Sequence, residues 1–203
     1  MYIVCLDFEG VVAPEMWVAY AETSGISELT RTTRDEPDYD KLMTWRLGVL
    51  KEHGQGLNEI QAAISKCEPL EGAKAFMDEV RDLTQAVIVS DTFEEFAKPL
   101  VEKLGRPTII CHSLDVAEDG EITGYNLRIK KDTKLTTIRA FRDMGYKVIA
   151  AGDSYNDLDM IKNADHGFLF RSTDQIKADN PNIPAFETYD ELLGAIKEIL
   201  KKK

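Results

Sequence analysis

The chain has 203 residues, 43% hydrophobic and 30% charged, which is enough for one good core plus a modest insertion in an ordinary soluble composition. Its net charge of −11 argues against a nucleic-acid backbone or an anionic membrane as partner. No apolar stretch reaches membrane-spanning length, and the N-terminus lacks a basic region followed by a long apolar one, so a cytoplasmic protein is expected.

Residues 2–6, Tyr-Ile-Val-Cys-Leu, form a short apolar run that breaks into Asp7-Phe8-Glu9-Gly10. Such a run closed by a Gly turn reads as a buried parallel strand, and open α/β sheets bind ligands at the carboxyl edge of such strands. Asp7 and Glu9 at that edge would repel each other unless a cation lies between them. The chain therefore begins with what reads as a hard-metal site that also holds a nucleophile.

Residues 14–68 carry no strand candidate and are expected to be helical throughout. Pro14 suits a first helical position, with Trp17, Tyr20 and Ala21 following at helical spacing. A second helix is expected from about Tyr39 to His53, closed by Gly54, and a third over about Leu57–Lys66. The block is too long for a simple crossover. It reads as a helical cap over 14–68, inserted into a core domain formed by 1–13 and 69–203. In the second helix Tyr39, Leu42, Met43, Leu47 and Leu50 form an apolar stripe, and Arg46 falls on the same face. A guanidinium there needs an anionic partner, or else snorkels to the edge of the stripe or pairs with a structural carboxylate.

After re-entry near Pro69-Leu70-Glu71-Gly72, strands are expected at 86–89, 108–111, 148–151 and 167–170, alternating with helices. This pattern gives an α/β fold with a doubly wound, Rossmann-like parallel sheet. Asp119-Gly120 marks a β-hairpin within 114–129. Lys201-Lys202-Lys203 reads as a frayed helix end. Cys5, Cys67 and Cys111 are odd in number and scattered, so neither a disulfide framework nor a zinc knuckle is expected. His53, His112 and His166 receive no catalytic role.

Four features stand in order at strand ends or helix starts: Asp7-Phe8-Glu9-Gly10-Val11-Val12, then Val87-Ile88-Val89-Ser90-Asp91-Thr92, then Lys134, then Ala151-Gly152-Asp153-Ser154-Tyr155-Asn156-Asp157. Read singly, each can be a turn or a helix cap. Together, over the whole chain, they resemble the haloacid dehalogenase superfamily of aspartate-nucleophile phosphatases. Glu9 stands where the usual residue is Asp, and Asp91-Thr92 where phosphoserine phosphatases carry two glycines. Those departures are similar to a bifunctional subgroup that hydrolyses phosphoserine and also transfers its phosphoryl group to homoserine.

The resemblance implies roles for these residues. Asp7 would be the nucleophile that forms an aspartyl phosphate, and Glu9 the general acid and base. Mg²⁺ would be held by Asp7, the Glu9 backbone carbonyl and Asp153, with Asn156 and Asp157 orienting that shell. Ser90 would donate to a phosphoryl oxygen and Lys134 would neutralise charge. Arg46 would hold a substrate carboxylate and Glu15 its ammonium; the plain alternative for Glu15 is a first-turn acid at a helix dipole. Asp91, Thr92 and Asn156 complete the expected substrate contacts. Phosphoserine is the implied substrate, homoserine the implied acceptor and a homodimer the implied assembly. Another small phosphate ester, or a non-catalytic binding protein on the same scaffold, are the alternatives.

Overall fold

The computed structural model describes every residue except 33, 34, 37, 132 and 203. Lys203 of the expected frayed end thus lies outside the described residues. Among the described residues, seven strands form one sheet in the order β4-β3-β2-β1-β5-β6-β7. β1 (Tyr2–Leu6) is central, flanked in parallel by β2 (Gln85–Phe93) and β5 (Lys147–Gly152). β3 (Thr108–Val116) pairs parallel with β2, and β6 (His166–Phe170) with β5. A two-residue strand, β7 (Ala185–Phe186), extends the parallel side. The expected hairpin is present: β4 (Ile122–Asn126) runs antiparallel to the end of β3 and forms the other edge.

All five residues of β1 are buried, as a strand covered on both faces requires. Alternation divides them. Val4 and Leu6 join a large cluster with α4 (Ala73–Leu83), α5 (Glu94–Lys103) and α9 (Tyr189–Lys201). Ile3 and Cys5 face Ile138 of α6 (Thr133–Asp143) and Met160 of α7 (Leu158–Asn163). A short α8 (Asp174–Asp179) follows β6. The chain builds β2, β3 and β4 on one side of β1, then returns to lay β5 on the other. The order therefore reverses at β1, and a crevice opens at the carboxyl ends of β1 and β5.

The three helices expected within 14–68 are present, as α1 (Met16–Ser24), α2 (Tyr39–Glu52) and α3 (Leu57–Ile64), with a 3₁₀ turn (Ser27–Thr30) after α1; the described residues between that turn and α2 are not helical, and 33, 34 and 37 lie outside the described residues. Its buried Tyr20, Leu29, Met43, Leu50 and Ile60 belong to the same cluster as Leu6 and Phe96. One expectation fails locally. Pro14 lies outside α1, whose boundary residue is Glu15, so Pro14 ends the incoming loop. Glu15 is accordingly not a first-turn acid.

The hairpin reaches up to the cap. The Leu57 amide donates to the Gly120 carbonyl at 2.9 Å, Tyr125 Oη donates to Asp40 Oδ1 at 2.6 Å, and Lys51 pairs with Glu121 at 2.8 Å. A side chain on Gly56 would place its Cβ 2.6 Å from that same carbonyl. Among the described residues, no helix is long and apolar enough to cross a membrane.

Candidate active site

Asp7 is the first residue past β1, and its amide donates to the Ala151 carbonyl on β5. The carboxylate is thereby fixed in the crevice, nearly buried. Lys134, in the first turn of α6, puts its Nζ 2.8 Å from Asp7 Oδ1 and 2.5 Å from Asp157 Oδ1. Asp157 is fully buried, and its second oxygen accepts from the amides of Asp153 and Ser154 at 3.0 Å each. That carboxylate is committed to shaping the loop after β5. Asp153, partly exposed, faces the crevice. Gly10 is at φ +76°, and a side chain there would drive Cβ to 2.5 Å from the Asp153 carboxyl carbon. Only a glycine lets the two loops meet.

Three carboxylates share one ammonium here. Burial, then Asp157, push the Asp7 pKa well up, against the pull of Lys134. Burial and Asp157 likewise raise Asp153 to about 7. Burial alone would lower Lys134, but Asp157, Asp7 and Asp91 reverse it and hold the lysine charged. Asp7, Asp153 and Asp157 can each bring an oxygen to within 4.8 Å of the others. This deficit of positive charge among oxygen donors fits a hard divalent cation. With Asp157 engaged by Lys134 and two amides, Asp7 and Asp153 are the side chains left to take one.

Opposite lies a second polar group. Glu9 Oε2 accepts the Met16 amide at 3.2 Å, so its carboxylate occupies the N-terminus of α1 where Glu15 makes no side-chain capping bond. Its carboxyl abuts that of Glu15. Burial and then Glu15 raise Glu9 to about 8. Arg46 is 6% exposed, with its guanidinium 4.4 Å above the Trp17 ring and Nη2 donating to the Arg31 carbonyl at 2.7 Å. Its Nε has no partner among the described residues. Burial lowers Arg46 to about 10, although Tyr39, Glu9 and Glu15 act the other way. So among the described residues Arg46 neither snorkels nor rests in a structural ion pair; it is a buried cation with spare donor capacity.

Ser90 and Thr92 are buried, and Ser90 Oγ accepts the Thr92 amide at 3.2 Å, leaving its own proton free to donate. They lie inside β2, which continues to Phe93 beyond its expected end. Pairing with β3 jumps from Val89–Ile110 to Phe93–His112, so the strand bulges at Ser90-Asp91-Thr92. Asp91 is directed into the crevice by this bulge. One of its oxygens accepts the Thr133 hydroxyl, and the other accepts Asn156 Nδ2 at 3.2 Å. Asn156 thus meets Asp91 instead of flanking the acid cluster directly.

Two residues without an expected role converge here. Tyr39, the first residue of α2, donates its hydroxyl to the Asp91 carbonyl at 3.2 Å. His112 is buried with Nε2 3.8 Å from Asp91 Oδ1, and its Nδ1 accepts the Arg128 amide. The available signals were slight: Tyr39 opens the apolar stripe of α2, and His112 follows the 108–111 strand candidate at the sheet's carboxyl edge.

Residues 5–165 match the family model of haloacid dehalogenase-like hydrolases. A protein of Pseudomonas syringae pv. tomato named phosphoserine phosphatase is 51% identical over 190 residues, spanning 94% of this chain and 80% of that protein. Phosphoserine phosphatase ThrH of Pseudomonas aeruginosa is 49% identical over 192 residues, 95% of this chain and 93% of that one. A solved structure of a phospho-aspartyl intermediate analogue of phosphoserine phosphatase shares the fold, with a TM-score of 0.75 at 23% identity, over 99% of this chain and 98% of that one.

Proposed function

The chain belongs to the haloacid dehalogenase-like hydrolases, and on that premise we propose that it hydrolyses O-phosphoserine through an aspartyl phosphate on Asp7. One observation carries the reading. A buried Lys134–Asp7–Asp157 ion cluster stands beside Asp153, which also feels Glu15, and Glu15 and Glu9 in turn act on a buried, under-bonded Arg46. The first set suits a phosphoryl group, and the second suits an α-amino acid. The names of the two closely similar Pseudomonas proteins support the same substrate. In this reading residues 1–13 and 69–203 are the catalytic core domain and 14–68 the substrate-reading cap.

Asp7 attacks phosphorus while the ester oxygen leaves. Glu9, raised to about 8, carries a proton at neutral pH and gives it to the departing serine oxygen. In the second step Glu9 takes a proton from water as that water attacks the phosphoaspartate. Phosphate leaves and Asp7 is restored. Ser90 Oγ donates to a phosphoryl oxygen, and Lys134 offsets the charge that Asp7 and the phosphoryl group bring together. Asp7, Asp153 and the Glu9 carbonyl would hold Mg²⁺, which when bound would supply Lewis-acid charge to the reaction. Arg46 takes the substrate carboxylate as a two-pronged donor, and Glu15 takes the ammonium.

Phosphate release from phosphoserine, measured with and without Mg²⁺, tests this. Turnover of p-nitrophenyl phosphate but not phosphoserine would leave the chemistry and remove the substrate. Transfer to homoserine is a second reading, favoured by the similarity to the ThrH protein and by the Asp-Phe-Glu-Gly-Val pattern. It requires only that homoserine replace water in the second step. Phosphohomoserine detected by mass spectrometry at millimolar acceptor would establish it.

A further inference from the structure

Asp91 sits where a carboxylate is electrostatically awkward, next to the serine expected to donate to a phosphoryl oxygen. A free anion there would oppose substrate binding. It is not free. One oxygen takes the hydroxyl of Thr133, the residue before Lys134 in α6. The other takes Nδ2 of Asn156, in the loop between Asp153 and Asp157. Its main-chain carbonyl takes the hydroxyl of Tyr39, at the start of the cap helix that carries Arg46. The bulge in β2 makes this reach possible: between the Val89–Ile110 and Phe93–His112 pairs, three residues of β2 stand against one of β3. Burial would raise the Asp91 pKa, yet Lys134, Thr133, Asn156 and His112 together leave it lowered, so the carboxylate stays ionised and able to accept both bonds.

We infer that Asp91 is a positioning residue: a bracket that sets Lys134 and the Asp153–Asp157 loop in register with each other and with the cap, without touching substrate. This rests on Lys134 and the acid loop being the phosphoryl-transfer machinery; it does not rest on phosphoserine as substrate. A misplacement of such groups by about 1 Å can cost about two orders of magnitude in rate.

The test uses the full chain at saturating Mg²⁺ with p-nitrophenyl phosphate, which has no amino-acid part, and phosphoserine in parallel. Asp91→Ala should lower kcat about 10- to 100-fold with KM nearly unchanged. Asp91→Asn should recover most of the loss. Its Oδ1 still accepts from Thr133, and Asn156 can turn its amide to accept from the new Nδ2. Thr133→Val, which keeps every charge, should reproduce part of the kcat loss, and combined with Asp91→Ala should add nothing further. Thr133→Val also keeps the inference testable should Asp91→Ala not fold.

A rise in KM at constant kcat in both Asp91 variants would mean a direct substrate contact and overturn the inference. Equal losses for Ala and Asn would mean that the charge acts and the bonds do not. Full activity with a lowered melting temperature would reduce Asp91 to a structural residue. Wild-type turnover of p-nitrophenyl phosphate but not phosphoserine would strike the proposed substrate alone and leave this test standing.

Discussion

The core half and the cap half of the site are built to different standards. In the core half, Lys134 bridges Asp7 and Asp157, Asp157 also accepts two backbone amides, and Asp91 accepts the hydroxyl of Thr133, the neighbour of Lys134. In the cap half, Glu15 abuts Glu9 of the core segment, and Arg46 keeps a buried Nε with no acceptor among the described residues. An unsatisfied buried donor costs about 1–3 kcal/mol, more when charged. The difference teaches that, on the proposed function, the groups assigned to the chemistry are already bonded to one another, whereas those assigned to reading the substrate keep bonding capacity to spare.

The sharpest break of that comparison is Asp7→Asn. It keeps shape and removes the attacking anion, so phosphatase activity should fall by at least about a thousandfold while substrate binding survives. Beryllofluoride should stabilise the wild type against thermal unfolding and leave the variant unmoved. Normal turnover by Asp7→Asn would remove the nucleophile assignment.

Next in size is the metal. Chelation should stop turnover and Mg²⁺ should restore it. At about a hundred times its Kd, Mg²⁺ should also add about 2.7 kcal/mol of stability to the wild type. Asp153→Asn should lose most of that thermal shift at the same Mg²⁺ concentration. Full activity after exhaustive dialysis against chelator would show that the three acids serve some other end.

Arg46→Lys tests the other half. It loses the two-pronged carboxylate clamp, costing about 2–3 kcal/mol in kcat/KM for phosphoserine, a factor of roughly thirty to more than a hundred. p-Nitrophenyl phosphate has no carboxylate, so its rate should change little. Equal losses for both esters would mean that the stacking on Trp17 and the bond to the Arg31 carbonyl hold the cap together, and the contrast between the two halves would collapse.

The smallest effect expected is remote. Tyr189 on α9 donates its hydroxyl to the Val11 carbonyl at 2.6 Å, pinning the turn that follows Asp7. Tyr189→Phe leaves that carbonyl without its donor and should cost about 1–2 kcal/mol of stability in a denaturant melt. The core half should stay assembled and kcat nearly constant.

Much of this was legible in the sequence because the signals were local. The apolar run 2–6 closing on Asp7, the Asp119-Gly120 turn and the stripe of α2 each describe a few neighbouring residues. The ordered positions of Asp7, Ser90, Lys134 and Asp153 gave the core half. Ser90-Asp91-Thr92 read as the end of a strand because polar residues interrupt the apolar run. They are instead a bulge within β2, fixed by pairing to β3 that no local pattern encodes. Tyr39 and His112 escaped for the same reason: their partner Asp91 is distant in sequence, and each alone has an ordinary explanation as core. Pro14 misled through a valid preference for first helical positions, which the loop leading to α1 used one turn boundary too early. β7, two residues long, was too short to carry a period.

The meeting of Gly120 with Leu57 has a consequence for how this chain can change length. A hairpin tip is ordinarily where insertions are absorbed without loss. Here the tip's own carbonyl receives the first amide of α3, and Gly56 leaves no room for a side chain between them. The constraint falls largely on the main chain, so many residue types would be tolerated at 117 and 118, with Asp119 kept for its bond to the Glu121 amide, while an added or deleted residue would not. Fusion partners, epitope tags and permuted termini that suit other hairpins would, at this one, break the bond that joins the hairpin tip to α3.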